Sequence, residues 1–477
     1  MSKLRCSARL GHVRKRKGAG MKVTGPDKRR FWTHPSVVDL SPAGEPVLEV
    51  SRRAQAVVFR AMASGWSGPP FDPIALADIL RISVVPRQDV RDARTVPKGQ
   101  NRLGIEFNPN RPKARVRFSI AHEIGHTLFP DCGEHVRNRL ARYEKRSDDW
   151  QIEILCNLAA AEFLMPVGSF PDMREQKLTI DLLLNLREEY AVSTEAVLLR
   201  AARLTPYPCL VFAASSPEDR EGGRYVLDYT IPSNHAPQGV TSGIRLPPTT
   251  VVRECTAIRF TAKGDETWAH GLGSLHVECV GLPPYPGRRL PRVAGIAMLE
   301  RGTTKDTLSL RVLKGDATSP RGSGQKIIAF IVNDKGLSWG AGFARAVQTK
   351  WPPAQKEFSW WAMHQRSSFS LGNCFMTQLE PATVACMMVS QHGYGPSPRP
   401  RIRYDSLQTC LRQLAQAAAQ RSASVHMPRI GCGEAGGSWV IVQELLEAEL
   451  IAQGIPVTVY DLPGKRINKK ESQKALF

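Results

Sequence analysis

No run of about 18 or more apolar residues occurs in the 477-residue sequence, so no segment reads as a membrane-spanning helix and no membrane partner is expected. The opening stretch, MSKLRCSARLGHVRKRKGAG, is basic, but no apolar segment follows the charges, which argues against a secretory signal. Ten cysteines are scattered without a single CxxC pair. That pattern argues against a disulfide framework or a Cys-type zinc site, and a reducing, cytoplasmic setting is the expectation. Acidic residues are scarce beside basic ones, 44 against 65, for a net charge of +21. The excess is uneven: residues 1–30 hold eleven Lys/Arg and one acid, Asp27. This stretch reads either as a solvated basic arm or as a contact for nucleic acid or another polyanion. No aromatic residue interleaves with the charges before Phe31. No internal repeat is present, and a chain of this length is expected to fold as several domains.

The periodicity divides the chain. PVLEVSRRAQAVVFRAMASGW, 46–66, has helical apolar spacing and stops at Gly65. PFDPIALADILRISVVP reads as a short helix and a strand. NRLGIEFNPNRPKARVRFSIAHE reads as two strands about a turn at NPNRP, running into a helix. DDWQIEILCNLAAAEFLMP, TIDLLLNLREEY and STEAVLLRAARL read as helices, the last with Ser193 as N-cap. From about 206 to 308 short β-prone runs alternate with Gly and Pro turns, which suggests a β-rich module without a motif. From 309 to 462 strands and helices alternate, the sign of an α/β layer fold. A basic tail, 463–477, closes the chain.

RFSIAHEIGHTLF carries the first chemistry. His122 and His126 are four residues apart, so on a helix both imidazoles face one side and can reach one ion. Glu123 stands beside the open coordination position, where it can take a proton from a bound water. A catalytic zinc ion needs a third protein ligand from elsewhere.

That motif, followed by E-x-x-x-N and a small-residue helix ending in FLMP, resembles the ImmA/IrrE family of zinc metallopeptidases over about residues 46–204. The resemblance implies zinc held by His122, His126 and Glu153, with Glu123 as general base, in an α+β zincin-like domain (46–205). Glu162, later on the same helix, is the alternative third ligand, and Cys156 stands where the family has alanine. Asn157, one turn beyond Glu153, reads equally as a partner that orients a ligand or as a packing residue. Family members cut one or a few regulatory proteins, repressors among them, in stress responses. The implied substrate is therefore a repressor- or antitoxin-type protein.

Two glycine-rich turns carry the second chemistry. VNDKGLSWGAGFA and MPRIGCGEAGGSW each lie between a strand and a helix, where backbone N–H groups can meet a phosphate. Together with KGDAT and the closing strand VTVYDL they resemble a macro domain, a three-layer α/β module that binds ADP-ribose, over 309–462. The resemblance places Asp316 at the adenine, and Asn333, Gly340, Gly342 and Phe343 around the distal ribose and diphosphate. It places Gly431, Cys432 and Gly433 on the diphosphate. Relatives that remove ADP-ribose from acidic side chains use a Lys and an Asp. Here Ala435 occupies the Asp position with Glu434 beside it, and MVSQHGYG offers no Lys. His392, Asp334 and Glu434 are the stand-ins available, so binding is favoured over hydrolysis.

The expectation is a multidomain protein: a basic arm (1–45), a zinc endopeptidase, a β-rich module, and a macro-like domain that binds ADP-ribose or an ADP-ribosylated partner and gates or targets cleavage. Two rival readings remain. One is an ADP-ribosyl hydrolase or phosphatase with a recruiting peptidase-like domain. The other is a DNA-binding stress regulator that uses its basic ends and the STEAVLLRAARL helix.

Overall fold

A computed structural model describes residues 32–42, 45–98, 102–134, 148–174, 176–217, 223–233, 236, 243–268, 274–285, 287–299, 310–336, 338–394 and 400–462. The basic stretches 1–30 and 463–477 lie outside the described residues. Pro35–Leu40 (α1), inside the span read as an arm, is a helix whose Val37 and Leu40 are buried. The folded part therefore begins before residue 46.

Helix α2 (Pro46–Ala63) buries Val50, Ala54, Val57, Val58 and Ala61, one apolar stripe at helical spacing. Helix α3 (Pro73–Ile79), capped by the Asp72 side chain on Ile74 N, leads into a three-stranded sheet. Its strands β1 (Ser83–Pro86), β2 (Ala93–Pro97) and β3 (Leu103–Phe107) lie in the order β1-β3-β2.

The segment after β3 corrects the strand reading of its sequence: KARVRF is helical from its first residue. Helix α4 runs Lys113–His126, with Pro112 at its N-cap position. The alternation that imitates a strand is overridden by tertiary packing, because Ile120 and Ile124, one turn apart, are fully buried.

Helix α4 packs on α5 (Trp150–Leu164). A Cβ on Gly125 would stand 3.1 Å from Cys156 O, so the two helices meet backbone to backbone. Helices α6 (Ile180–Tyr190) and α7 (Thr194–Leu204) complete this part, with Ser193 capping Ala196 N as expected.

The β-rich middle is one antiparallel five-stranded sheet. It comprises β4 (Cys209–Ser215), β5 (Val226–Pro232), β6 (Thr261–Thr267), β7 (Ser274–Leu282) and β8 (Arg292–Leu299), in the order β5-β4-β8-β7-β6. Successive strand residues face opposite sides, so one strand serves two cores. Cys209, Val211 and Ala213 join the core shared with the helices, whereas Leu210, Phe212 and Ala214 join a separate cluster around Trp268.

The last part is a six-stranded sheet in the order β11-β12-β10-β13-β14-β9, parallel except for β11. The strands are β9 (Arg311–Lys314), β10 (Lys326–Asn333), β11 (Cys374–Glu380), β12 (Thr383–Gln391), β13 (Ser424–Pro428) and β14 (Val457–Asp461). Helices α8 (Gly342–Lys350) and α9 (Pro352–His364) cover one face, and α10 (Tyr404–Arg421) and α11 (Trp439–Glu449) the other. The result is the three-layer α/β arrangement expected.

The peptidase-like and macro-like parts also touch directly. Their apolar residues form one continuous core, from Val37 through Ile124 to Leu446 and Val459. Helix α2 lies on α10 and α11. Arg52 makes a bidentate pair with Glu449 at 3.1 and 2.7 Å, and Gln408 donates to Gln55 Oε1 at 2.6 Å.

Candidate functional site

Helix α4 carries His122 and His126 on one side, their rings 5.0 Å apart. The neighbouring α5 brings Glu153 between them. Its Oε2 lies 3.1 Å from His122 Nε2 and its Oε1 3.9 Å from His126 Nε2. Two imidazoles and a carboxylate are donor types that a zinc ion accepts. The cluster in which one ligand atom from each residue lies within 4.8 Å of the others is His122, His126 and Cys156, so the Cys156 sulfur is a donor in reach of both histidines. Glu162, the alternative ligand, faces away: it accepts from Val167 N and pairs with Arg200 at 3.6 Å.

Around these residues the structure adds partners. Asn157 Oδ1 is 2.8 Å from His122 Nδ1. A carbonyl oxygen only accepts, so Nδ1 carries a proton, and Nε2 is the ring nitrogen that faces Glu153. Burial works against the charged form of His122. The hydrogen bond that the ring donates to Glu153 and the charges of Glu123 and Glu153 outweigh it, and the pKa is raised. Glu123 is buried, and Thr95 on β2 donates to its Oε2 at 2.6 Å. Sequence reading missed Thr95. It lies 28 residues before Glu123 in a strand with no motif, and only the packing of β2 against α4 brings it in.

The second group of residues lies along the C-terminal ends of the parallel strands, where open α/β sheets hold ligands. Asp316 follows β9, Asn333 ends β10, and Gly431 to Gly433 follow β13. In the sheet, β9 and β10 are separated by β13 and β14, a span of three strand spacings or about 14 Å. Asp316 is exposed and caps its own turn by accepting from Thr318 N at 2.8 Å. Asn333 Oδ1 accepts from Lys335 N at 2.9 Å and from Gly336 N, which shapes the loop before α8. Gly340 and Gly342 border open space, and Gly342 has φ +64 at the first residue of α8. Phe343 rests its ring 5.6 Å from that of Phe330. Gly431 has φ +77, a backbone that favours glycine, and a Cβ there would also push the end of the Ile402 side chain aside. Burial pushes the Cys432 thiol up to about 12, which leaves it a small neutral lining residue.

Two of the three hydrolytic stand-ins meet. His392 Nδ1 lies 2.8 Å from Asp334 Oδ2, while Glu434 is exposed and its backbone oxygen accepts from Arg401. Helix α7, the STEAVLLRAARL segment, is spent on packing: Val197, Leu198 and Ala201 are fully buried, and Arg200 is inside.

The two clusters are joined through α11, which begins just after the Gly431 loop. Its Glu444 accepts from Arg200 at 2.6 Å and from Gly168 N at 2.7 Å. Arg200 also pairs with Glu162, at the far end of the helix that carries Glu153. Gly168, with φ +73, could not carry a Cβ without striking Ile441.

The family model for the IrrE N-terminal-like domain matches residues 82–202, and that for the macro domain matches 332–446. Chromodomain-helicase-DNA-binding protein 1-like of Mus musculus is 27% identical over 179 residues, 36% of this chain and 19% of that protein. Radiation response metalloprotease IrrE of Deinococcus radiodurans is 34% identical over 104 residues, 22% of this chain and 31% of that protein. The chain thus spans less than a third of the length of either curated relative. A solved macrodomain protein from Streptomyces coelicolor is 39% identical, covers 32% of this chain and 99% of its own, and has a TM-score of 0.29.

Proposed function

Because the chain joins an IrrE-like metallopeptidase domain to a macro domain, we propose that it is a zinc-dependent endopeptidase. In this reading it cuts a regulatory protein of repressor or antitoxin type, and its macro domain binds ADP-ribose or an ADP-ribosylated partner and so gates or targets cleavage. The observation that carries the peptidase half is the meeting of His122, His126 and Glu153 beside a buried Glu123.

His122, His126 and Glu153 hold the metal, with Cys156 as the other donor in reach. A bound zinc ion supplies Lewis acidity and a water of lowered pKa. Glu123 takes the proton of the attacking water and returns it to the leaving amine. Thr95, donating to Oε2, fixes the Glu123 carboxylate and keeps its other oxygen for that proton. Asn157 keeps His122 in the tautomer whose Nε2 can bind the metal. Along the crest of the second sheet, Asp316 meets the adenine end of ADP-ribose, the Gly431–Gly433 loop the diphosphate, and Asn333, Gly340, Gly342 and Phe343 the distal ribose. The roughly 14 Å from β9 to β10 suits so elongated a ligand. Support for gating comes from α11, which follows the diphosphate loop and holds Arg200, and through it Glu162, in a buried ion cluster.

Metal analysis of the full chain tests this reading, together with trapping by Glu123→Gln. The variant should retain one zinc per chain, lose cleavage and hold its partner protein. Absence of zinc, with His122→Ala changing nothing, would falsify it. Calorimetry with ADP-ribose, and cleavage of the trapped partner with and without that ligand, tests the gating.

A further inference from the structure

A cavity of ≈ 710 Å³, outside both clusters, opens at the C-terminal end of the zinc helix. Its wall includes Thr127 and Leu128, the residues next after His126. Four guanidinium groups line it from three separate elements: Arg53 and Arg60 from α2, Arg81 from the turn before β1, and Arg102 at the start of β3. Arg53 and Arg60 are seven residues apart, about two turns, and so share one face of their helix. Arg53 is already engaged, with Glu49 and with the Leu128 and Leu40 carbonyls. No carboxylate pairs with Arg60, Arg81 or Arg102 among the described residues. Arg81 holds a left-handed backbone, φ +60, in the turn that ends α3, where Ile82 N donates to Ala77 O at 2.9 Å, so glycine is tolerated there. Three arginines brought together from three elements, with no acidic partner among the described residues, leave a concentration of positive charge at this cavity.

The remaining lining is aliphatic, with Val57, Leu80, Ile82, Leu103 and Leu128 beneath the arginines. This composition discriminates between anions. A nucleotide site usually offers an aromatic face for the base or a glycine-rich backbone nest for phosphate. The lining contains neither an aromatic residue nor a glycine. Guanidinium groups also fit carboxylates bidentately, and aliphatic walls fit aliphatic side chains.

From this we infer that the cavity is an anchoring site for the protein substrate, recognising a segment in which acidic and aliphatic side chains alternate. The inference rests on the peptidase reading for its purpose, since a second anchor beside the zinc helix would select one regulatory protein over polypeptide in general. Arg60, Arg81 and Arg102 take the carboxylates, and the aliphatic floor takes the side chains between them.

The test uses the full chain carrying Glu123→Gln, so that binding is read without cleavage. The probe is a fluorescein-labelled octapeptide of alternating Glu and Leu, followed by anisotropy. The expected result is saturable binding that weakens with added salt, with no binding of the Lys–Leu counterpart. Arg60→Ala with Arg81→Gly should weaken it roughly tenfold or more. Glycine suits the backbone at 81, so the melting temperature reports that the variant is folded. Equal binding of both peptides, indifference to the arginine variants in folded protein, or binding of ATP in place of the peptide overturns the proposal. Zinc content is measured on the same samples. Peptide binding without zinc refutes the peptidase reading and leaves the cavity assigned, whereas zinc without peptide binding refutes the cavity alone.

Discussion

Arg200 of the peptidase domain donates to Glu444 of the macro domain at 2.6 Å, both side chains almost fully buried. Burial alone would disfavour the charge on Arg200, but Glu444 and Glu162 reverse this and raise its pKa. Burial likewise raises the pKa of Glu162, with Arg200 opposing. The pair is thus a charged joint inside a core that the two domains share.

Removing Arg200 leaves two buried carboxylates without their cation. Arg200→Ala should destabilise the full chain by about 3–5 kcal/mol. Urea denaturation followed at both domains checks this. One shared transition is expected in the parent protein, because the apolar core is continuous.

At the proposed metal centre, Asn157→Ala should weaken zinc affinity by about 10–100-fold, as measured by chelator competition, because His122 loses the partner that fixes its ring. Thr95→Val should leave zinc content unchanged and lower kcat by about tenfold, the worth of one orienting hydrogen bond. A fall in metal content with Thr95→Val would place that residue's role elsewhere.

In the macro domain, Gly431→Ala forces a left-handed alanine against Ile402. ADP-ribose binding measured by calorimetry should be lost, with zinc content intact.

Glu447 supplies a pH dependence at the domain joint. Burial pushes its pKa up to about 7, Arg174 opposes, and the Glu444 and Asp172 charges add to the rise. A carboxyl whose folded pKa lies above its unfolded value binds more protons when folded. It therefore costs stability as pH rises from about 4.5 toward 7. Glu447→Gln should flatten the stability profile across that window, read by melting temperature against pH. An unchanged slope would remove Glu447 as its source.

Much of this was legible in the sequence because local rules govern it. HEIGH places two imidazoles on one side of a helix whatever surrounds it, and glycine between strand and helix marks the turns of the second sheet. Alternating strands and helices from 309 announced the three layers. The KARVRF misreading shows the limit: its alternation has the period of a strand, and only the burial of Ile120 and Ile124 against α5 decides for helix.

Contacts between distant segments were beyond reach. Nothing in ARTVP marks Thr95 as the partner of Glu123, and nothing in the α11 sequence marks Glu444 as the partner of Arg200, 244 residues earlier. The sequence alone determined which residue types could do chemistry and which secondary structures carry them, since spacing and composition act over a few residues. Tertiary structure decided that Glu153 rather than Glu162 faces the histidines. It also decided that the two domains share one core and that arginines from three elements surround one cavity. Those outcomes depend on how amphipathic faces find each other, and several pairings of the same faces satisfy a one-dimensional pattern.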